Sequence, residues 1–208
     1  MLLNSRLAQA LERTADLVVA GLLWAVFSVP LVTLPLSTVG LLTLADAWAR
    51  GERPSVWPVF WGGFTRRPLR ALAVGWPLLL AGGILVLNLA YVLHTRYLPL
   101  RTPVLMCTVV LALGYALTGA FALPLVAVTG DRPLTLFRNA VLLAAGSLRQ
   151  TAAIWTAVAV AAVATALLPP LLPLCAALTA SYMARLTRQA ILRLKQFRST
   201  RITSSESG

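Results

Sequence analysis

The chain has 208 residues, of which 59% are hydrophobic and only 12% charged, with a mean hydropathy of +0.82. A soluble domain carries about 25% Asp, Glu, Lys and Arg, so this composition makes a soluble fold a poor second choice. The net charge of +12 would suggest nucleic acid in a soluble protein. Here the basic residues sit in short stretches between apolar runs, where they set topology and meet anionic headgroups, so no nucleic-acid partner is expected.

Residues 17–45, 71–93, 103–128 and 150–184 contain no Asp, Glu, Lys or Arg. Each exceeds the roughly 18 apolar residues that mark a bilayer span. The fold class is therefore all-α, a single polytopic membrane domain over 1–208. About six membrane segments are expected, five being the alternative, with two cytoplasmic amphipathic helices between them.

Residues 1–16 form a cytoplasmic N-terminus in which Arg6 and Arg13 are offset by Glu12 and Asp16. The apolar run over 17–48 is longer than a signal-peptide core and contains Pro30 and Pro35, so it is read as retained. Those prolines break it, and it is a short hairpin, a re-entrant pair or one kinked crossing. Residues 49–70 form a cytoplasmic loop. Within it Trp57, Phe60, Trp61 and Phe64 recur at i, i+3, i+4 and i+7, which puts four aromatics on one helical face, with Arg66, Arg67 and Arg70 just beyond.

Spans follow over 71–93 and 103–128, each long enough at about 1.5 Å per residue to cross a core of roughly 30 Å. The second cytoplasmic loop, 129–149, carries a stripe of Leu134, Phe137, Val141 and Leu148. The last apolar run holds Pro169, Pro170 and Pro173 near its middle, so it reads as two spans, 150–168 and 171–187, joined by a tight turn. Residues 188–208 form a basic tail whose Ser-rich end, from Thr203, is expected to be disordered.

With both end runs as hairpins, one side of the membrane collects 16 of the 18 basic residues, all but Arg96 and Arg101. That side is the cytoplasm and holds both termini. The two loops resemble each other. Gly51-Glu52-Arg53-Pro54 leads to Leu69-Arg70, and Gly130-Asp131-Arg132-Pro133 leads at the same spacing to Leu148-Arg149, as in a parallel repeat.

Several residues also carry a resemblance. Leu22-Leu23-Trp24, Ser28-Val29-Pro30-Leu31-Val32-Thr33, Pro35, Ser37-Thr38, Leu41-Leu42, Gly51-Glu52 and Phe60 to Phe64 resemble the YesL-like family of bacterial membrane proteins of unknown function. Arg138-Asn139-Ala140 and Leu142-Leu143 are similar to that family's second cytoplasmic helix. Pro68 follows Arg66-Arg67 where the family often has Asn. The resemblance implies a multi-pass protein of the bacterial cytoplasmic membrane whose genes often lie near carbohydrate uptake systems, and it supplies no activity.

No acid, base, nucleophile or metal set converges, so no enzyme and no cofactor are expected. His94 reads as an interfacial cap, Asp46 and Arg50 as an i, i+4 ion pair, Glu52 and Asp131 as acids near helix starts, and Cys107 and Cys175 as packing residues. Two candidate sites emerge. One is a partner-docking surface of Trp57, Phe60, Trp61, Phe64 and Phe137. The other is a polar cavity formed by Thr33, Ser37 and Thr38 at the proline break facing Asn88. The first suits a non-enzymatic accessory or scaffold component that docks a membrane transporter component. The second suits a facilitator of a neutral small solute. Other expected partners are the bilayer and its anionic headgroups, and homo-oligomerisation is left open.

Overall fold

The computed structural model describes residues 2–94, 98–129 and 133–206, with side chains over 11–94, 102–129 and 133–192. Every regular element among the described residues is helical: α1 (Leu2–Ser28), α2 (Leu34–Ala49), α3 (Val56–Thr65), α4 (Pro68–His94), α5 (Leu98–Val128), α6 (Pro133–Gly146), α7 (Leu148–Leu167) and α8 (Leu172–Glu206). Four helical stretches are long and apolar enough to cross a membrane, Leu31–Ala49, Pro68–His94, Thr102–Val128 and Leu148–Leu167. The other two long helices, α1 and α8, join an apolar half to a charged one that carries Glu12, Arg13 and Asp16, or Arg185 and Arg188. The side chains of Arg6, Arg96, Arg101 and Asp131, singled out in the sequence, and those of Arg193, Lys195 and Arg198 in the basic tail lie outside the described set.

Both proline-broken runs fold as antiparallel hairpins. Between α1 and α2, Pro30 takes an extended conformation (φ −74°, ψ 115°) ahead of a 3-10 turn over Leu31–Thr33. Pro35 follows as the second residue of α2, where a missing N–H breaks no helical bond. Thr33 Oγ1 lies 2.6 Å from the carbonyl oxygen of Phe27 and 2.8 Å from that of Pro30, so its hydroxyl serves acceptors that the break leaves without helical partners. Across the hairpin, Ser28 Oγ and Ser37 Oγ are 2.7 Å apart and Trp24 Nε1 donates to Thr38 Oγ1 at 3.2 Å. The second turn runs through Pro169–Leu171, with Pro173 again second in the helix that follows.

Helices start earlier than the charge-free runs do, because an interfacial arginine does not stop a helix. Thus α4 begins at Pro68 rather than 71, and α5 at Leu98 rather than 103. Likewise α8 is continuous through the expected basic tail to Glu206, and Thr203 to Glu206 are helical where the sequence suggests disorder.

At the centre lies α2, which touches α1, α3, α4, α5 and α8. Its faces serve two apolar clusters. Leu36 and Val39 join Val74, Phe121, Leu136 and Ile154 from α4 to α7, while Leu41, Leu44 and Ala45 join Ala20, Phe60, Ala177 and Ala180 from α1, α3 and α8. Pro35 meets α4 at Gly75, where an added Cβ would fall 2.3 Å from Pro35 Cβ. From that contact α4 runs on to His94, about 28 Å further. The outer parts of α4 and α5 accordingly expose Val86, Leu87, Leu93, Met106 and Val110.

Charged ends gather at the opposite pole. Arg67 Nη1 donates to the Thr129 carbonyl at 2.9 Å, joining the start of α4 to the end of α5. Arg13 and Asp16 of α1 share a cleft with Trp48, Glu52 and Arg185. The start of α4, the end of α5 and the charged ends of α1, α2 and α8 are thereby brought to one end of the bundle.

Candidate functional site

The aromatic stripe of the first loop does form one face of a helix, but α3 does not lie beside the bundle. It packs into the α1–α2 hairpin across a crossing of small residues. A Cβ on Gly40 would fall 2.9 Å from the Phe60 carbonyl oxygen, and one on Gly63 would fall 2.9 Å from Gly40 Cα. Only glycine at these two positions permits so close a backbone approach. Phe60 is consequently 0% exposed, whereas Trp57 and Trp61 are 54% and 39% exposed.

Phe27, the penultimate residue of α1, organises the group. Its ring lies 6.5 Å from Trp57, 6.1 Å from Phe60 and 5.5 Å from both Trp61 and Phe64. The Trp57 and Trp61 rings are parallel within 4° at 5.8 Å, and Trp61 and Phe64 within 8° at 5.3 Å. Tilted and stacked arrangements at these separations are favourable beyond their burial. Sequence reasoning missed Phe27 because it lies in another apolar run and only the hairpin brings it to α3.

In α6 the face turned to the core is Leu136, Ala140, Leu143 and Ala144, so the stripe read from the sequence is mostly outward, with Leu134, Val141 and Leu148 exposed. Phe137 is partly buried against the larger apolar cluster. Among the described residues no ring contact joins it to the α3 aromatics.

The hydroxyls at the proline break do come together, and their hydrogen bonds are made within the hairpin. Beyond the contacts given above, Ser37 and Thr38 each donate to the Leu34 carbonyl, at 2.9 and 2.8 Å. Asn88 is not brought to them. It lies thirteen residues beyond Gly75, about 20 Å further along α4 than the contact with Pro35.

At the charged end Arg50 forms the i, i+4 ion pair with Asp46. Its Nε and Nη2 also donate to the two Glu52 carboxylate oxygens at 2.6 and 3.2 Å. This fork holds the Glu52 carboxyl below its usual range, chiefly through the hydrogen bond from Arg50, which outweighs the opposing desolvation, with the charges of Arg50 and Arg188 adding to it. The same hydrogen bond raises Arg50. Glu52 is thus an ion-pair partner rather than a helix cap. Next to the fork, Thr187 is 1% exposed and its Oγ1 has no hydrogen-bond partner.

His94 Nδ1 lies 2.9 Å from the Ala90 carbonyl oxygen of its own helix. Cys107 and Cys175 are free thiols. No group of three His, Cys, Asp or Glu among the described residues is placed to hold a metal.

These features define a class, an all-α bundle with four helices able to cross a membrane and a rigid aromatic platform fixed to its central helix. Residues 17–89, from the apolar half of α1 into α4, match the model of a family described as a protein of unknown function, DUF624. No curated protein and no solved structure matches the chain.

Proposed function

We propose that this protein is a non-enzymatic accessory component of the bacterial cytoplasmic membrane that docks another membrane protein through the Trp57–Trp61 face of α3. Six membrane segments are formed by α1, α2, α4, α5, α7 and α8, with both termini and both loops on the cytoplasmic side, where the basic residues concentrate. The observation that carries the reading is the split of the aromatic face. Phe60 and Phe27 lock it to the bundle while two parallel tryptophans stay exposed. Exposed tryptophans on a pre-ordered backbone lose little entropy on binding, and Trp is prominent among residues that dominate interfaces.

The part of the resemblance to YesL-like proteins that spans residues 22–64 falls within the segment that matches the family of unknown function. It supports a carbohydrate-uptake component as the partner. A neutral-solute pathway has weaker support, since Ser37 and Thr38 donate within the hairpin and Asn88 is remote. The test is affinity purification of the tagged protein from its native membrane in mild detergent, with mass spectrometry of what co-elutes. A stoichiometric membrane partner is expected, and Trp57→Ala with Trp61→Ala should release it while the variant still inserts and stays helical. Recovery of the protein alone, or a partner retained by the double variant, would overturn the proposal.

A further inference from the structure

Two cavities follow each other along α8. One, of about 480 Å³, is an apolar groove between α1, α2, α7 and α8, lined along α8 by Leu172, Ala176, Thr179, Ala180 and Met183. The other, of about 220 Å³, lies between α2, α5 and α8 and is lined by Asp46, Arg50, Thr187 and Arg188 together with apolar residues such as Val128. Leu42 lines both, so they adjoin on either side of that side chain. On α8 the lining positions 172, 176, 180, 183, 187 and 191 keep helical spacing, a single stripe that passes from apolar to polar.

We infer that this stripe binds one phospholipid, with an acyl chain in the groove and its phosphate at Thr187 and Arg188. The inference rests on the membrane reading of the helices but not on the docking partner. Three observations converge on it. The groove's hydroxyls are already engaged, Thr38 with the Leu34 carbonyl and Thr179 with the Cys175 carbonyl, which leaves a surface suited to hydrocarbon. At its charged end Thr187 Oγ1 is buried without a partner, and a buried donor left unmet is unfavourable unless a ligand accepts from it. The cations beside it lie at the same end as the other basic loop residues, at headgroup depth for a bundle that spans the bilayer.

The local charges set the headgroup. Arg50 and Arg188 are balanced by Asp46 and Glu52, with Arg50 committed to both carboxylates. A headgroup carrying phosphate and ammonium matches this balance: the phosphate accepts from Thr187 and Arg188, and the ammonium lies toward Asp46. Phosphatidylethanolamine therefore binds more tightly than phosphatidylglycerol.

The test is native mass spectrometry of the full chain in detergent, titrated with each of these lipids. Wild type is expected to hold one phosphatidylethanolamine with at least about tenfold preference over phosphatidylglycerol. Arg188→Gln should lose about tenfold in affinity, and Arg188→Lys should regain part of it. Ala176→Phe, which fills the groove far from the charges, should also displace the lipid. Thr187→Val separates the inference from a purely structural role. Removing an unpartnered hydroxyl leaves the lipid-free melting temperature unchanged or raised, while lipid affinity falls. Unchanged lipid binding in Thr187→Val and Arg188→Gln, equal binding of a phosphate-free diacylglycerol, or no retained lipid at all would overturn it. If Arg188→Gln fails to fold, Thr187→Val and Ala176→Phe decide the question alone.

Discussion

The two loop helices occupy matching places in the chain and are used in opposite ways. Each follows a Gly-acid-Arg-Pro segment, folds back on the long helix before it and leads into the next, α3 between α2 and α4 and α6 between α5 and α7. At the spacing set by Gly51 and Gly130, Trp57 and Trp61 correspond to Leu136 and Ala140. The tryptophans are exposed and their counterparts buried. Phe60, sealed against Gly40, corresponds to Asn139, which is half-buried. A repeat in sequence therefore fixes where a short helix begins without fixing which face it buries. That is decided by what the preceding helix offers, a glycine cleft in α2 and a broad apolar surface in α5.

The largest break in this comparison should come from the crossing itself. Gly63→Leu drives a side chain into Thr43 and the Gly40 backbone, and neither can withdraw without moving a helix. It should cost about 3 kcal/mol or more in unfolding experiments in mixed micelles. The reverse change at the corresponding position, Leu142→Gly on the exposed side of α6, should cost about 1 kcal/mol, the helix penalty of glycine. Equal losses at the two sites would remove the distinction drawn between the loops.

Phe60→Ala should come next, at about 3 kcal/mol, because it empties the space that Phe27, Gly40 and Phe64 enclose. Phe137→Ala, at a partly buried site, should cost roughly half as much. Circular dichroism melts of the two variants side by side would check the order. Ser37→Ala removes one hydroxyl that meets both Ser28 and the Leu34 carbonyl, and should cost about 1 kcal/mol. A loss near zero would show that the hairpin is held by proline geometry and packing alone.

The smallest effect is one of pH at the Arg50 fork. Because Arg50 holds Glu52 below its ordinary value, the folded state favours the ionised carboxylate. That contribution is fully present above the unfolded pKa of about 4.3 and is lost as pH falls through the lowered folded value. Melting temperatures of wild type and Glu52→Gln should differ slightly at neutral pH and converge in acid. The pair is exposed, so the difference should also shrink with added salt.

Much of this was legible in the sequence because it depends on near neighbours. Charge-free runs give the helices, paired prolines mark both breaks and give the second hairpin turn, and spacing of three and four residues places Trp57, Phe60, Trp61 and Phe64 on one face. The Asp46–Arg50 pair follows from the same helical spacing. What the tertiary structure decided depends on residues far apart in the chain. It drew Phe27 onto α3, took Phe60 out of the surface, aimed α6 by its Leu136–Ala140 face and kept Asn88 away from the proline break. It also placed the unpartnered Thr187 hydroxyl beside Asp46 and Arg50, more than a hundred residues earlier. Helical periodicity is a local property of a chain, whereas the face that a helix buries is set by the shape of whichever helix it meets.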